Sequence, residues 1–329
     1  MNRITSNNQG VSGYLRAGMA AAVRAAVALI VVTFLLDAVY AQEGKTADRE
    51  ERSLLVTALV HNERTRDIAA KLEPVDFAVS EQAVRQKILS ARKVESEPLV
   101  IAVLLQDNLV SRVNNELDLV RKFIQTLPDG SRVMTAYIST GALQVKQGFT
   151  EDRFLAARSL RIIAGSSGLS PYSPYIQIKD AVKRFKGEPV GRRMVLVVTD
   201  GFDDTIGSQR FGSFYSAYLD GAIDEAQRSG VTIYAVYAPS ANAGRNFRHA
   251  VNASQGSLLR LTEETGGEAF FSGTDFVTFD PYFREFGEML SNQWVIVYES
   301  SNKGRGFRKI EVTTDFDINL HYPAGYKVN

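Results

Sequence analysis

Met194-Val195-Leu196-Val197-Val198-Thr199-Asp200-Gly201-Phe202-Asp203-Asp204 is the stretch that decides how this chain folds. Five apolar residues in succession, three of them β-branched, make a strand buried on both faces, as a parallel sheet requires. The run stops at Thr199-Asp200-Gly201, and two more carboxylates follow. Carboxylates just past the carboxyl end of a buried strand stand where α/β sheets gather their ligands. One segment thus predicts a fold class and a candidate site.

On its amino-terminal side, Leu99–Leu105 reads as a second buried strand. Val113, Leu117, Val120, Ile124 and Leu127 recur at spacings of three and four, which predicts a helix, and Pro128-Asp129-Gly130 stops it. Arg132–Ile138 is the next strand. Phe154, Leu155, Leu160, Ile162 and Ile163 suggest a short helix, Gly165 to Pro174 a loop, and Ile178, Ala181, Val182 and Phe185 a further helix. On the carboxyl-terminal side comes a helix carrying Tyr215, Tyr218, Leu219, Ala222, Ile223 and Ala226, closed by Gly230. Strand Val231–Tyr237, a helix around Leu258–Thr265, strand Ala269–Phe271 and a helix with Phe283, Phe286 and Leu290 complete the series. Strands alternating with helices predict a doubly wound, mostly parallel, Rossmann-like α/β domain over residues 98–291, with its strand-end loops on one rim.

The flanks read differently. Residues 50–97 form a small β unit: strand Leu54–Val60, a turn over the polar run His61–Asp67, and short strands near Phe77 and Gln86–Leu89. In residues 292–329, strands Gln293–Tyr298, Phe307–Thr313 and Asp317–Tyr322 follow one another without a helix, so they pair antiparallel. The two ends are expected to build one flanking β module.

Of the 329 residues, 45% are hydrophobic, and Lys+Arg 38 balance Asp+Glu 37. That balance gives no basic surface for a nucleic acid. Arg3, Arg16 and Arg24 precede the apolar run Ala25–Leu36, and Val39-Tyr40-Ala41 offers a cleavage site, so residues 1–41 are expected to be a signal peptide. An uncleaved membrane anchor is the alternative. With Cys 0, lipidation, disulfides and thiolate chemistry are excluded. A cysteine-free exported chain suits a bacterial periplasmic or extracellular location. His61, His249 and His321 lie far apart, Gly165-Ser166-Ser167-Gly168 lacks the spacing of a nucleophile elbow, and no phosphate-binding loop occurs. The expectation is a chain that is not an enzyme and has no small-molecule substrate.

These segments in this order resemble a von Willebrand factor type A domain, and more narrowly the VWFA-related domain proteins of Acidobacteria. The resemblance rests on Leu99–Leu105, on Val195–Gly201 with its Thr-Asp-Gly, on Gly230–Tyr237, and on Glu264–Phe271. In the tail it rests on Gln293–Tyr298, Phe307–Ile310 and Tyr322–Tyr326. It implies a metal-ion-dependent adhesion site made of Asp-x-Ser-x-Ser after the first strand, a Thr on a second loop and an Asp after the fourth. Such a site holds Mg²⁺ through oxygen ligands. Here Asp-x-Ser-x-Ser becomes Gln106-Asp107-Asn108-Leu109-Val110, or, shifted by one, Asp107-Asn108-Leu109-Val110-Ser111. Either register puts an aliphatic residue at a ligand position. The donors that remain, Asp200, Asp107, Asn108, Ser111 and Ser173, make a degenerate site. No cofactor is expected, with Mg²⁺ through Asp200 as the alternative. The function implied is protein–protein interaction in the cell envelope through the strand-end rim. Phe211, Phe214, Tyr172, Tyr175 and Asp203 are the candidate contacts, because aromatics and charge in rim loops make interface hot spots.

Overall fold

The computed structural model describes residues 50–95, 97–164, 173–203, 205, 216–240, 247–271, 278–301 and 304–328. The signal segment 1–41 expected from the sequence lies outside them. In chain order the elements begin with β1 (Glu50–Ala58), α1 (Glu63–Lys71), β2 (Phe77–Glu81), β3 (Val84–Arg85), β4 (Lys87–Lys93) and β5 (Val100–Gln106). Then come α2 (Leu117–Thr126), β6 (Arg132–Ile138), β7 (Gln144–Thr150), α3 (Arg153–Arg158), α4 (Pro174–Lys183), β8 (Arg193–Thr199), α5 (Ala217–Ser229) and β9 (Val231–Tyr237). The last are α6 (Phe247–Thr265), β10 (Ala269–Phe270), α7 (Asp280–Ser291), β11 (Gln293–Ser300), β12 (Gly306–Thr314), β13 (Leu320–His321) and β14 (Gly325–Val328).

The central sheet has the order β10-β9-β8-β5-β6-β7, parallel throughout except for β7, which pairs antiparallel with β6. β8 and β5 are neighbours at its middle, and every residue of β5 is buried. This is why both read as unbroken apolar runs. Alternate residues go to two cores. Ile101, Val103 and Leu105 join Val120 and Ile124 of α2, Ala156 and Ala157 of α3, and Phe283 and Phe286 of α7. Ala102, Leu104, Val195 and Val197 join Ile178 of α4, Leu219 and Ala222 of α5, and Leu261 of α6. The fold is therefore α/β with helices on both faces, as the alternation predicts.

Two antiparallel sheets flank it, ordered β13-β1-β11-β4 and β14-β12-β2-β3, so strands from the two chain ends interleave. β1 pairs with β11 over its length, Leu54 opposite Ile296 and Val56 opposite Trp294. Leu54, Val56, Trp294, Ile296 and Tyr298 face Phe77, Val79, Ile310 and Val312 of the second sheet. Leu55, Leu59 and Val295 point the other way, into the core of the α/β part. From Leu54 onward β1 thus has no solvent face, which accounts for the nearly unbroken apolar run Leu54–Val60.

Two sequence expectations are corrected and one strand is added. The polar run 61–67 is not a turn but the start of α1. Asn62 caps it, with Thr65 N–H donating to Asn62 Oδ1 at 2.9 Å and Asn62 N–H to Thr65 Oγ1 at 3.0 Å. β7 adds an edge strand that no apolar pattern announces, because its exposed Gln144, Lys146 and Gly148 dilute the apolar positions. The tail strand expected at 317–322 shrinks to Leu320–His321, and Gly325–Val328 forms the outer strand instead.

Arg192, just before β8, joins the two parts. Its buried guanidinium donates to the carbonyls of Val94 (2.7 Å), Glu97 (2.5 Å) and Leu290 (3.0 Å) and to Gln293 Oε1 (3.0 Å). Burial without a contacting carboxylate pushes it down to about 10.

Candidate functional site at the strand-end rim

The carboxyl ends of β5, β8 and β9 lie side by side, so Gln106, Thr199 and Tyr237 mark the rim. Gln106 is fully buried there. Its Oε1 accepts the hydroxyl of Thr199 and, at 3.3 Å, the N–H of Asp200, while its Nε2 donates to Asn108 Oδ1 at 2.6 Å. A side-chain amide both donates and accepts, so Gln106 can knit two strand ends together. An acid at that position would have no proton to give Asn108.

Asp200 is 7% exposed. One of its oxygens takes the Phe202 N–H at 2.9 Å. Burial raises its carboxyl above the ordinary range, and the hydrogen bond from Phe202 offsets only part of that. Gly201 follows in the left-handed region, φ 66°, and a Cβ there would stand 2.7 Å from Leu258 Cγ. The turn after β8 thus requires glycine.

Asp107, next in the chain after Gln106, is committed to other partners. Arg161 holds it with a two-pronged ion pair, Nη1 to Oδ1 at 2.8 Å and Nη2 to Oδ2 at 2.7 Å, and the Ala164 N–H adds a third bond at 2.8 Å. Burial alone would push Asp107 up, but the bonds and charge of Arg161 outweigh it and the carboxyl sits below its ordinary value. Arg161 is itself fixed. Its guanidinium carbon lies 4.2 Å from the centre of the Tyr137 ring, and its backbone N–H donates to the Tyr137 hydroxyl at 2.7 Å.

Ser173, another predicted ligand, is likewise occupied. Ser173 donates to Asp203 Oδ2 at 3.0 Å, as does Ser216 at 2.7 Å, while Thr205 gives both its N–H (3.1 Å) and its hydroxyl (2.5 Å) to Oδ1. Asp203 therefore ties the start of α4 to the start of α5. Leu109 is completely buried in the core, and its backbone bridges to Ser240. Ser111 is exposed at the start of a 3₁₀ turn, Ser111–Glu116.

A hard dication needs several free oxygens converging on one point. Here Asp107 is spent on a guanidinium, Asp203 and Ser173 on each other, and Gln106 on two donors. Among the described residues no group of three or more His, Asp or Glu side chains is placed to hold a metal. The oxygens of Asp107, Asp203 and Ser173 and the Oε1 of Gln106 each already have a partner within the chain.

The structure also moves two of the expected rim contacts inward. Tyr175 is 1% exposed, donates its hydroxyl to Gly201 O at 2.7 Å, and is held neutral by burial. Asp203 is 8% exposed. Both are tied to the start of a helix or to the turn after β8, Tyr175 through Gly201 O and Asp203 through Ser173 and Ser216. Phe211, Phe214 and Tyr172 lie outside the described residues. Sequence reasoning missed Arg161, Gln106 as a hub, and Ser216. The Ser216 N-cap ahead of α5 had a readable signal; the Arg161–Asp107 pairing had none. Among the described residues no helix is long and apolar enough to cross a membrane.

No family model and no curated protein matches this chain. Solved structures do. The aerotolerance-related membrane protein of Bacteroides fragilis aligns at 13% identity over 58% of this chain and 98% of its own, with a TM-score of 0.41. BatB of Bacteroides thetaiotaomicron aligns at 11% identity over the same shares, also at 0.41. The von Willebrand factor type A protein of Catenulispora acidiphila aligns at 12% identity over 78% of this chain and 73% of its own, at 0.44. Likeness of that degree says nothing about the residues of the rim.

Proposed function

We propose that this chain is an exported, non-enzymatic interaction module of the von Willebrand A type, which contacts a protein partner of the cell envelope at its strand-end rim without a divalent ion. The observation that carries the metal-free reading is the pairing of Asp107 with Arg161. A guanidinium occupies the one acid that the shifted reading of Asp-x-Ser-x-Ser supplies, and the charge a metal would bring is already there. The Acidobacterial kinship and the export rest on the sequence, through the order of the motifs and the layout of residues 1–41. Calorimetric titration with Mg²⁺ and Mn²⁺ tests the absence of a metal, and capture of envelope proteins with and without EDTA tests the interaction. We expect no saturable metal binding and retention that ignores EDTA. Sub-millimolar binding that disappears in Asp200→Ala would instead establish a metal-dependent receptor, the reading favoured by the place of Asp200 beyond the end of β8.

A further inference from the structure

The amino-terminal end of the central sheet, away from the rim, helps to enclose a cavity of about 340 Å³. The α/β part contributes Arg193 at the start of β8 and Thr232 near the start of β9. The β module contributes Arg52 and Leu54 of β1, Tyr298 of β11 and Tyr326 of β14. β8 carries the chain from Arg193 to Thr199, so Arg193 stands about 20 Å from the rim.

Arg193 is a cation without an acid. Its Nε donates to Pro189 O at 2.8 Å, its Nη1 to Ser229 O at 3.1 Å, and its Nη2 to Glu188 O. The carboxylate of Glu188 is paired with Arg132 instead, Nε to Oε2 at 2.5 Å. A guanidinium has five N–H groups, so two remain after those three bonds. Carbonyl oxygens satisfy N–H groups but do not neutralise a charge, and burial pushes this guanidinium below its ordinary value.

Two further arginines line the same cavity. Arg52 lays its guanidinium over the Tyr326 ring, 4.4 Å from the centre, and its Nη2 donates to Glu50 at 2.6 Å, while its Nε is buried without a hydrogen-bond partner. Arg228 holds Glu225 at 3.1 Å. Glu50 and Glu225 stand outside the lining, and the one acid within it among the described residues, Glu51, is exposed. Leu54, Ile310, Pro323 and the two tyrosine rings make the rest of the wall largely apolar. A concave, mostly apolar site with a few polar groups is how small molecules are held, and the volume falls at the small end of the roughly 300–1,000 Å³ such sites span.

The wall discriminates among occupants. A cation would meet three guanidinium groups, and a neutral apolar molecule would bury Arg193 further without a counter-charge. An inorganic anion would leave the apolar wall uncovered. A carboxylate with an apolar body meets both demands, since it accepts from the N–H groups Arg193 has left and covers the rings and Leu54. We propose that this cavity binds a small carboxylic acid bearing an apolar ring or short chain, its carboxylate on Arg193 and its body against Leu54, Tyr298 and Tyr326. The ligand bridges the β module and the α/β part far from the rim, and its binding does not depend on how the rim is used.

The probe is para-trifluoromethylbenzoate, titrated with the whole chain and read by fluorine NMR line width, with para-trifluoromethylbenzamide as its neutral twin. The acid is expected to broaden saturably, and the amide to bind on the order of tenfold more weakly or not at all. Sodium sulfate at matched ionic strength should not displace the acid. Arg193→Gln should weaken the acid by a similar factor. That variant also gives up three bonds to carbonyls, so a second one separates binding from folding. Ser53 is exposed and lines the cavity, and Ser53→Trp fills the space while keeping every arginine. We expect Ser53→Trp to melt close to the parent and to bind no acid. No saturable binding to the parent, equal binding of acid and amide, displacement by sulfate, or undiminished binding in either variant overturns the site.

Discussion

Asp200 carries the sharpest test available to a single side chain. Its carboxyl is buried and raised, so the folded state holds the proton more tightly than the unfolded chain does. The stability tied to that group is fully present below its unfolded value and is lost as pH rises through the folded one. Above that range the native protein keeps a buried charge against its desolvation cost. Asp200→Asn keeps an oxygen for the Phe202 N–H and removes the charge. We expect it to melt higher than the parent at pH 8, with the gap closing toward pH 4, and EDTA to change neither curve. A parent that melts higher with Mg²⁺ and loses that gain in Asp200→Asn would make Asp200 a ligand. Arg161 is tested in the opposite sense. Arg161→Ala leaves Asp107 with the Ala164 N–H alone, and because the pair is 35% and 12% exposed the loss should be about 1–2 kcal/mol in urea denaturation, less than a deeply buried pair costs. At this scale the sequence was legible where the backbone dictates the residue, as at Asp200-Gly201, and silent where a partner comes from far along the chain. Arg161 stands 54 positions from Asp107, and nothing local to either announces the pair.

Single elements show the same division. β5, β8 and β9 were readable because burial on both faces leaves only apolar side chains to write. β1 was readable for the same reason, although it belongs to an antiparallel sheet, since both its faces are covered. The edge strand β7 and the polar helix α1 were not, because each meets solvent along much of its length and its pattern is set by capping and pairing. The Gly266-Gly267 turn after α6 is an element whose requirement can be measured. Gly266 adopts φ 82°, and a Cβ on it would lie 2.6 Å from the backbone of Tyr322 and Pro323. The Ala324 N–H reaches Glu264 O at 3.1 Å in the same place, so this turn seats the β13–β14 connection on the α/β part. Gly266→Ala combines a strained φ with a backbone clash, and should cost at least about 2 kcal/mol by the usual penalties for such sites. Thermal melting of the variant beside Gly287→Ala, where a Cβ meets nothing within 4 Å, would separate the turn's demand from a generic glycine effect.

At the scale of the molecule, the flanking sheets and the α/β part share one interior. Leu55, Leu59, Val94 and Val295 belong to the flanking strands and their connections, yet they pack among Val120, Phe286 and Met289. Arg192 fixes the same boundary, and of its four acceptors, Val94, Glu97 and Gln293 lie outside residues 99–290. A piece comprising 99–290 would keep the whole central sheet but lose those three acceptors, leaving a buried guanidinium with Leu290 O alone. Each hydrogen bond lost from a buried charged donor costs about 1–3 kcal/mol, and the stripped apolar surface adds to that. Such a sum rivals the entire stability of an ordinary domain. We therefore expect 99–290 to unfold without a cooperative transition, and Arg192→Met in the full chain to melt well below the parent yet still in one step. A 99–290 piece as stable as the full chain, or an Arg192→Met variant whose two parts melt separately, would show that the β module is an appendage and that the sheet needs nothing from the chain ends.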